Sequence, residues 1–292
     1  MSSSAPSATA SGRVVRSGNV AGSAPGRGAP SWIRSRSMRS LITRLLCMAV
    51  LLAAWEALVV AGVLSTDAVA KPTDILRVLG ALVGTGAFWS SIGDTLRSWA
   101  IGLAISLLIA LPAGLLFGAS SIAYRMSRFT IDFLRTIPPV ALLPLALLLY
   151  GATEQMALLL IVVGSVWPVV LMTMYGVHQV DPVTRDVARA YRLGRRDRIF
   201  SVILPSAAPF IATGVRIAAT MSLLLAIGAE LLGGAPGIGN SIAVAQQTPD
   251  IPTMYAFVVV AALLGVGLNL AMVNIEGRVL AWHPSHRSRK EP

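Results

Sequence analysis

Acidic residues are scarce in this chain. Asp and Glu together number 13 against 24 Lys and Arg, and charged residues of every kind make up only 13%. A soluble domain cannot hide the apolar surface of 292 residues that are 55% hydrophobic, with mean hydropathy +0.72. Cysteine occurs once, as Cys47 in an apolar run, which excludes a disulfide framework and a cysteine metal cluster. Histidine occurs three times (His178, His283, His286), in loops and without ligand spacing. No G-x-x-x-x-G-K-[ST] run is present, so the chain does not hold ATP in a P-loop. Neither H-E-x-x-H nor G-x-S-x-G occurs, which argues against an intramembrane enzyme.

What is there in quantity is apolar sequence. Six segments, at about 41–63, 96–118, 130–150, 157–177, 208–232 and 253–275, approach the ~20 residues needed to cross a bilayer. The predicted class is all-α: a polytopic membrane protein with about six transmembrane helices. The third segment contains Pro138, Pro139 and Pro144, which either break a helix to line a path or gate, or kink it for packing. Ala68-Val69-Ala70 resembles a cleavage site, but the first apolar run is longer than the ~7–15 residues of a signal-peptide core, so a retained span is expected.

The net charge of +11 would suit nucleic acid, but its distribution points to a membrane. With the N-terminus inside, the cytoplasmic side receives the arginines from Arg13 to Arg44, then Arg125 and Arg128. It also receives six between Arg185 and Arg198, and finally Arg278, Arg287, Arg289 and Lys290. The outer side receives Lys71 and Arg77 alone. This asymmetry predicts cytoplasmic termini. Arg97, Arg135 and Arg216 fall at helix edges and do not enter the comparison.

The one long polar stretch between spans runs from Asp181 to Pro205. Asp181-Pro182 is a good helix start, because the carboxylate accepts orphan N–H groups and proline suits the first helical position. Val183, Val187, Ala190 and Tyr191 recur at helical spacing as an apolar stripe. Gly194 is the predicted left-handed joint. Ile199, Phe200, Ile203 and Leu204 form a second short apolar face that Pro205 is expected to stop. The whole reads as a docking element.

This loop resembles the cytoplasmic loop of bacterial ABC-importer permeases, whose pattern is E-A-A, three residues, Gly, then nine or ten residues before Leu-Pro. Counted back from Leu204-Pro205 without gaps, Asp186-Val187-Ala188 fall on E-A-A and Arg192 on the glycine. A gapped register would place Gly194 on the glycine and Ala188 on the acid. The ungapped one is preferred because Asp181-Pro182 also fits. Further likeness follows in chain order. Trp55-Glu56 resembles the Trp-Glu of the first span, and Val69 to Leu76 resembles an L-P-S-P-x-x-V-L segment. Arg135 to Leu145 resembles R-x-I-P-x-x-A-L-x-P-L, and Ala229-Glu230 with Gly237-Ile238-Gly239 resembles A-E…G-L-G. The group so resembled imports nitrate, aliphatic sulfonates, taurine or bicarbonate.

The resemblance implies a transmembrane subunit of a binding-protein-dependent importer in a bacterial inner membrane, passing a small anionic solute. Residues 1–39 are expected to be a disordered basic tail, 40–282 the permease domain with its coupling loop at 178–205, and 283–292 a second basic tail. The implied partners are cytoplasmic ATPase subunits, an external substrate-binding protein, a second permease copy (identical or paralogous) and the lipid bilayer, with no nucleic acid. ATP and magnesium belong to the ATPase, and no cofactor is expected on this chain. Coupling contacts are expected from Asp186, Ala188, Arg189, Tyr191, Arg192, Gly194, Arg195 and Arg196. Pathway candidates are Pro138, Pro139, Pro144 and Glu230. Glu230 either faces the path or makes a structural hydrogen bond near the outer interface, and Glu56 is expected to be structural. Gly237-Ile238-Gly239-Asn240 reads as a turn into a short re-entrant or surface helix. A secondary transporter is the rival reading, but the halves show no evident self-similarity and acids near span centres are few.

Overall fold

The computed structural model describes residues 31–280, and among them there is no β-strand. The chain forms two units, divided after Leu51. In the first, the described part is helical, and Leu46, Met48, Val50 and Leu51 are exposed. Helix α1 (Ser31–Val60) begins inside the stretch expected to be a tail. Residues 1–30 of that stretch, and the C-terminal tail at 283–292, lie outside the described residues.

The second unit contains α2 (Pro72–Leu82), α3 (Gly86–Gly118), α4 (Ser121–Leu134) and a 3-10 turn (Pro139–Leu142) leading into α5 (Leu143–Tyr150). It continues with α6 (Glu154–His178), α7 (Pro182–Ala190), a short turn α8 (Arg195–Arg198), α9 (Leu204–Gly233), α10 (Ile238–Gln247) and α11 (Ile251–Val279). Among the described residues, four helices are long and apolar enough to cross a membrane, and the α4–α5 pair adds a fifth crossing if its two arms make one span. The first expected span lies in α1, whose apolar portion Leu46–Val60 is shorter than these.

Two segments depart from the expected spans for identifiable reasons. The third is not one helix: α4 and the segment from Pro139 to Tyr150 meet at a 67° bend. Pro138 is extended (φ −65°, ψ 122°), as the residue before a proline must be, and neither proline has an N–H to continue the ladder. The second span starts at Gly86, earlier than its apolar run, because the Thr85 hydroxyl accepts the Phe88 N–H at 3.4 Å and caps the helix there.

α3, α6 and α9 form the core, and small residues set how closely they approach. A methyl group at Gly102 of α3 would come within 2.4 Å of Ile161 on α6, and one at Gly214 of α9 within 2.8 Å of Met172 on α6. In lipid there is no hydrophobic gain from joining two apolar helices, so such close backbone approach supplies van der Waals contact instead. Buried hydrogen bonds lock the register: the Ser165 and Ser222 hydroxyls lie 2.7 Å apart, and Trp99 Nε1 donates to the Ala219 carbonyl at 2.8 Å. An ion pair between Arg216 and Glu276 ties α9 to α11. Glu56 is structural, as expected. Its carboxylate accepts from the Thr73 N–H at 3.2 Å and the Thr73 hydroxyl at 2.8 Å, satisfying donors at the start of α2.

Candidate functional site

Three features of the second unit are built for more than packing, and the first is the polar loop. The Asp181 carboxylate accepts the Val183 N–H at 3.0 Å and Pro182 occupies the first turn, so α7 starts as its sequence demands. It ends in a Schellman motif: the Leu193 N–H donates to the Ala188 carbonyl at 3.1 Å and the Arg192 N–H to the Arg189 carbonyl at 2.9 Å. The left-handed residue of that motif is Arg192, at φ 51°, and Gly194 has no positive φ. The joint is therefore two residues earlier than Gly194, at the position where the ungapped register puts the permease glycine. Arginine accepts the left-handed conformation at a cost of ~1–2 kcal/mol.

One face of α7 is turned inward. Ala188, expected among the docking contacts, is instead 3% exposed, because it shares that inner face with Arg185. The Arg185 guanidinium donates to the Val177 carbonyl near the end of α6 and tethers the loop. Sequence reasoning assigned Arg185 no role, and its signal was only the three-residue spacing to Ala188. The other face carries Val183, Val187 and Tyr191, at 66%, 49% and 78% exposure. Asp186 and Arg189 pair at 3.1 Å beside this stripe, both well exposed. Arg192, Gly194 and Arg196 are exposed, and the side chain of Arg195 lies outside the described residues. Pro205 does not stop the second apolar face. It sits in the first turn of α9, where its missing N–H costs nothing, and the chain runs from Arg195 into α9 through a π-helical turn at Ile199–Ile203.

The second feature is a cavity of about 580 Å³ behind the proline break. Pro139 and Val140 form one wall, Trp167 and Pro168 of α6 another, and Met221 and Leu225 of α9 a third. Arg135 and Thr136, from the break itself, also line it. Pro139 thus borders open space, whereas Pro138 and Pro144 are exposed elsewhere on the bent segment. Arg135 is a residue that sequence reasoning set aside as a helix edge, although an arginine within an apolar stretch is itself a signal of function.

The third is a cradle around Glu230, which is fully buried on α9. Its Oε2 accepts the Thr95 hydroxyl at 2.9 Å and the Gly239 N–H at 2.9 Å. Thr95 in turn accepts the Ile238 N–H at 2.9 Å. Two orphan donors at the start of α10 are thereby satisfied. Gly237 sits at φ 148°, a conformation that favours glycine, and a Cβ there would meet the Glu230 carboxyl at 2.2 Å. At Gly239 a Cβ would lie 2.3 Å from the Ile227 carbonyl. Glu230 therefore holds the turn into α10, and it does not line the cavity behind the proline break. The partner of Glu230 was not legible in the sequence, since Thr95 is 135 residues away.

Among the described residues no group of His, Cys, Asp and Glu could hold a metal ion. The arrangement offers an exposed apolar stripe on a rigid polar loop, a cavity at a broken helix, and a locked turn between α9 and α10.

Comparisons with known proteins agree with this layout. The family model for the binding-protein-dependent transport system inner membrane component matches residues 106–280. The chain is 28% identical over 262 residues to the putative aliphatic sulfonates transport permease protein SsuC of Bacillus subtilis (strain 168), covering 90% of this chain and 92% of that one. It is 29% identical over 255 residues to the nitrate import permease protein NrtB of Leptolyngbya laminosa, covering 84% and 90%. In fold it is similar to a chain of the MetNI methionine ABC transporter in an inward-facing conformation, with TM-score 0.57 and 19% identity, over 66% of this chain and 96% of that one.

Proposed function

The chain belongs to the binding-protein-dependent transport system inner membrane component family, and from that membership we propose that it carries a small anionic solute of the sulfonate or nitrate type. It is the permease subunit of an ABC importer, and its ATPase is a separate protein. The relatives named for sulfonate and nitrate support the anionic class. In this reading two permeases, identical or paralogous, enclose the path, and an external binding protein delivers the solute. The basic loops and both termini face the cytoplasm, as the charge asymmetry favours.

The observation that carries the coupling part is the α7 stripe. Val183, Val187 and Tyr191 stand exposed on a helix that Arg185 and a Schellman motif hold rigid. An apolar face on a polar cytoplasmic loop gains nothing from lipid and is costly in water, so it is the surface for the ATPase. Asp186, Arg189, Arg192 and Arg196 flank it and orient the partner, with Arg195 and Gly194 on the same approach. Rocking of the paired bundles on ATP binding would then reach the path through α7 and its tether to α6.

The test is co-purification of the tagged permease with its ATPase from native membranes in mild detergent. The wild type is expected to bring down the ATPase, and Val187→Asp combined with Tyr191→Asp to lose it while remaining folded. Equal recovery from the double variant would overturn the docking site. Failure of the wild type to bind any ATPase would count against the coupling reading as a whole.

A further inference from the structure

Arg135 and Arg216 are paired differently. Arg216 is matched by one acid, Glu276, whose side chain is only 14% exposed. Arg135 is not matched in this way. Its Nε lies 3.1 Å from Asp132, but the same carboxylate is 3.7 Å from Arg128. Two guanidinium groups share one acid, and a unit of positive charge is left over. Arg128 also lies 5.6 Å from the centre of the Tyr175 ring, so it is engaged on α6 as well as with Asp132.

The surplus charge is placed at the cavity. α4 ends at Leu134, so Arg135 lies at the break itself, about 10 Å along the helix from Arg128. Arg135 and Thr136 line the cavity there, no carboxylate lines it, and its remaining wall is largely apolar. An ionisable group set in an apolar wall is costly unless it works, and broken helices are where transporters place solute sites. A guanidinium is planar and matches the paired oxygens of a sulfonate, nitrate or carboxylate. Apolar walls around it strengthen that attraction and repel a cation.

We propose that Arg135, at the proline break, is the specificity-determining residue of the translocation path, forming a weak station for small oxyanions in the cavity and excluding cations. This rests on the anionic reading above, but it assigns that selectivity to a side chain of the permease itself.

Because Cys47 is the only cysteine, a cysteine-free Cys47→Ser background carrying Thr136→Cys puts a single thiol at the cavity. The permease–ATPase complex would be placed in nanodiscs of phosphatidylcholine, where no anionic headgroup contributes. The thiol is then converted to a mixed disulfide, with release of methanesulfinate, by anionic 2-sulfonatoethyl or cationic 2-trimethylammonioethyl methanethiosulfonate. The anionic-to-cationic rate ratio is expected to fall about tenfold in Arg135→Gln, to be kept in Arg135→Lys and to rise in Asp132→Asn. Methanesulfonate is expected to slow this disulfide formation by the anionic reagent with Arg135 present and not with Gln. A ratio unchanged by Arg135→Gln, in a complex that still retains its ATPase, would overturn the station and leave the permease reading intact. A ratio that drops to the Arg135→Gln value once anionic phosphatidylglycerol is added, with methanesulfonate no longer protecting the thiol, would also overturn it, in favour of a lipid headgroup. Loss of the ATPase from the starting complex would instead strike the permease reading.

Discussion

The two ends of α9 have opposite constructions. Beyond Gly233, the chain folds back on Glu230, whose buried Oε2 accepts from Thr95 and Gly239, while the Thr95 hydroxyl accepts from Ile238. Before Leu204, the chain stands out as α7 and the π turn, with Val183, Val187, Tyr191 and Phe200 exposed. A buried polar group with its partners in the same chain serves the fold. An exposed apolar stripe on a polar loop, held rigid by its own hydrogen bonds, serves another molecule. The contrast separates a residue of structural value from one of functional value without reference to either one's type.

The sharpest way to break the comparison is at the Glu230 end. Gly239→Val places its side chain against the Ile227 carbonyl, and the folded permease is expected to be lost from detergent extracts, as judged by size-exclusion chromatography. Glu230→Leu leaves the Gly239 N–H and the Thr95 hydroxyl without their acceptor. The expected cost is about 2–5 kcal/mol, seen as a lowered thermal unfolding midpoint, with Glu230→Gln recovering much of it because an amide oxygen still accepts.

At the α7 end the same kind of insult should leave the fold alone. Val187→Asp is expected to change the unfolding midpoint by no more than about 0.5 kcal/mol of stability, yet to weaken ATPase binding by about 2 kcal/mol, roughly 30-fold, in a titration of the purified subunits. A large stability loss would show that the stripe belongs to this chain's own core. The smallest effect is at the joint. Arg192→Gly is expected to relieve up to about 1 kcal/mol locally, read as slower hydrogen exchange at the Leu193 amide, whereas Arg192→Val should quicken it.

Much of this was legible beforehand, and particular residues show why. Asp181-Pro182 started a helix because a cap and its proline act within one turn. Pro138-Pro139 broke a span because a missing N–H is a local fact. The joint was misplaced at Gly194 because glycine is the usual left-handed residue, while hydrogen bonds from Arg192 and Leu193 back to α7 outweighed that preference. Pro205 looked like a stop, and only the run of the chain into α9 showed it as a start. Ala188 looked like a contact because its motif position says nothing about which face of α7 turns inward.

By itself, the sequence determined that this is a helical membrane protein, that Asp181-Pro182 starts a helix and that Pro138-Pro139 breaks one, and its ordered motifs resembled those of importer permeases. The first three follow from composition, periodicity and short-range chemistry, which act within a few residues. Only the tertiary structure decided that Glu230 meets Thr95, that Ala188 turns inward while Val187 does not, and that Arg135 opens onto a cavity with half an acid to its name. Those depend on which helices lie side by side, and close approach at Gly102 and Gly214, not any local preference, sets that.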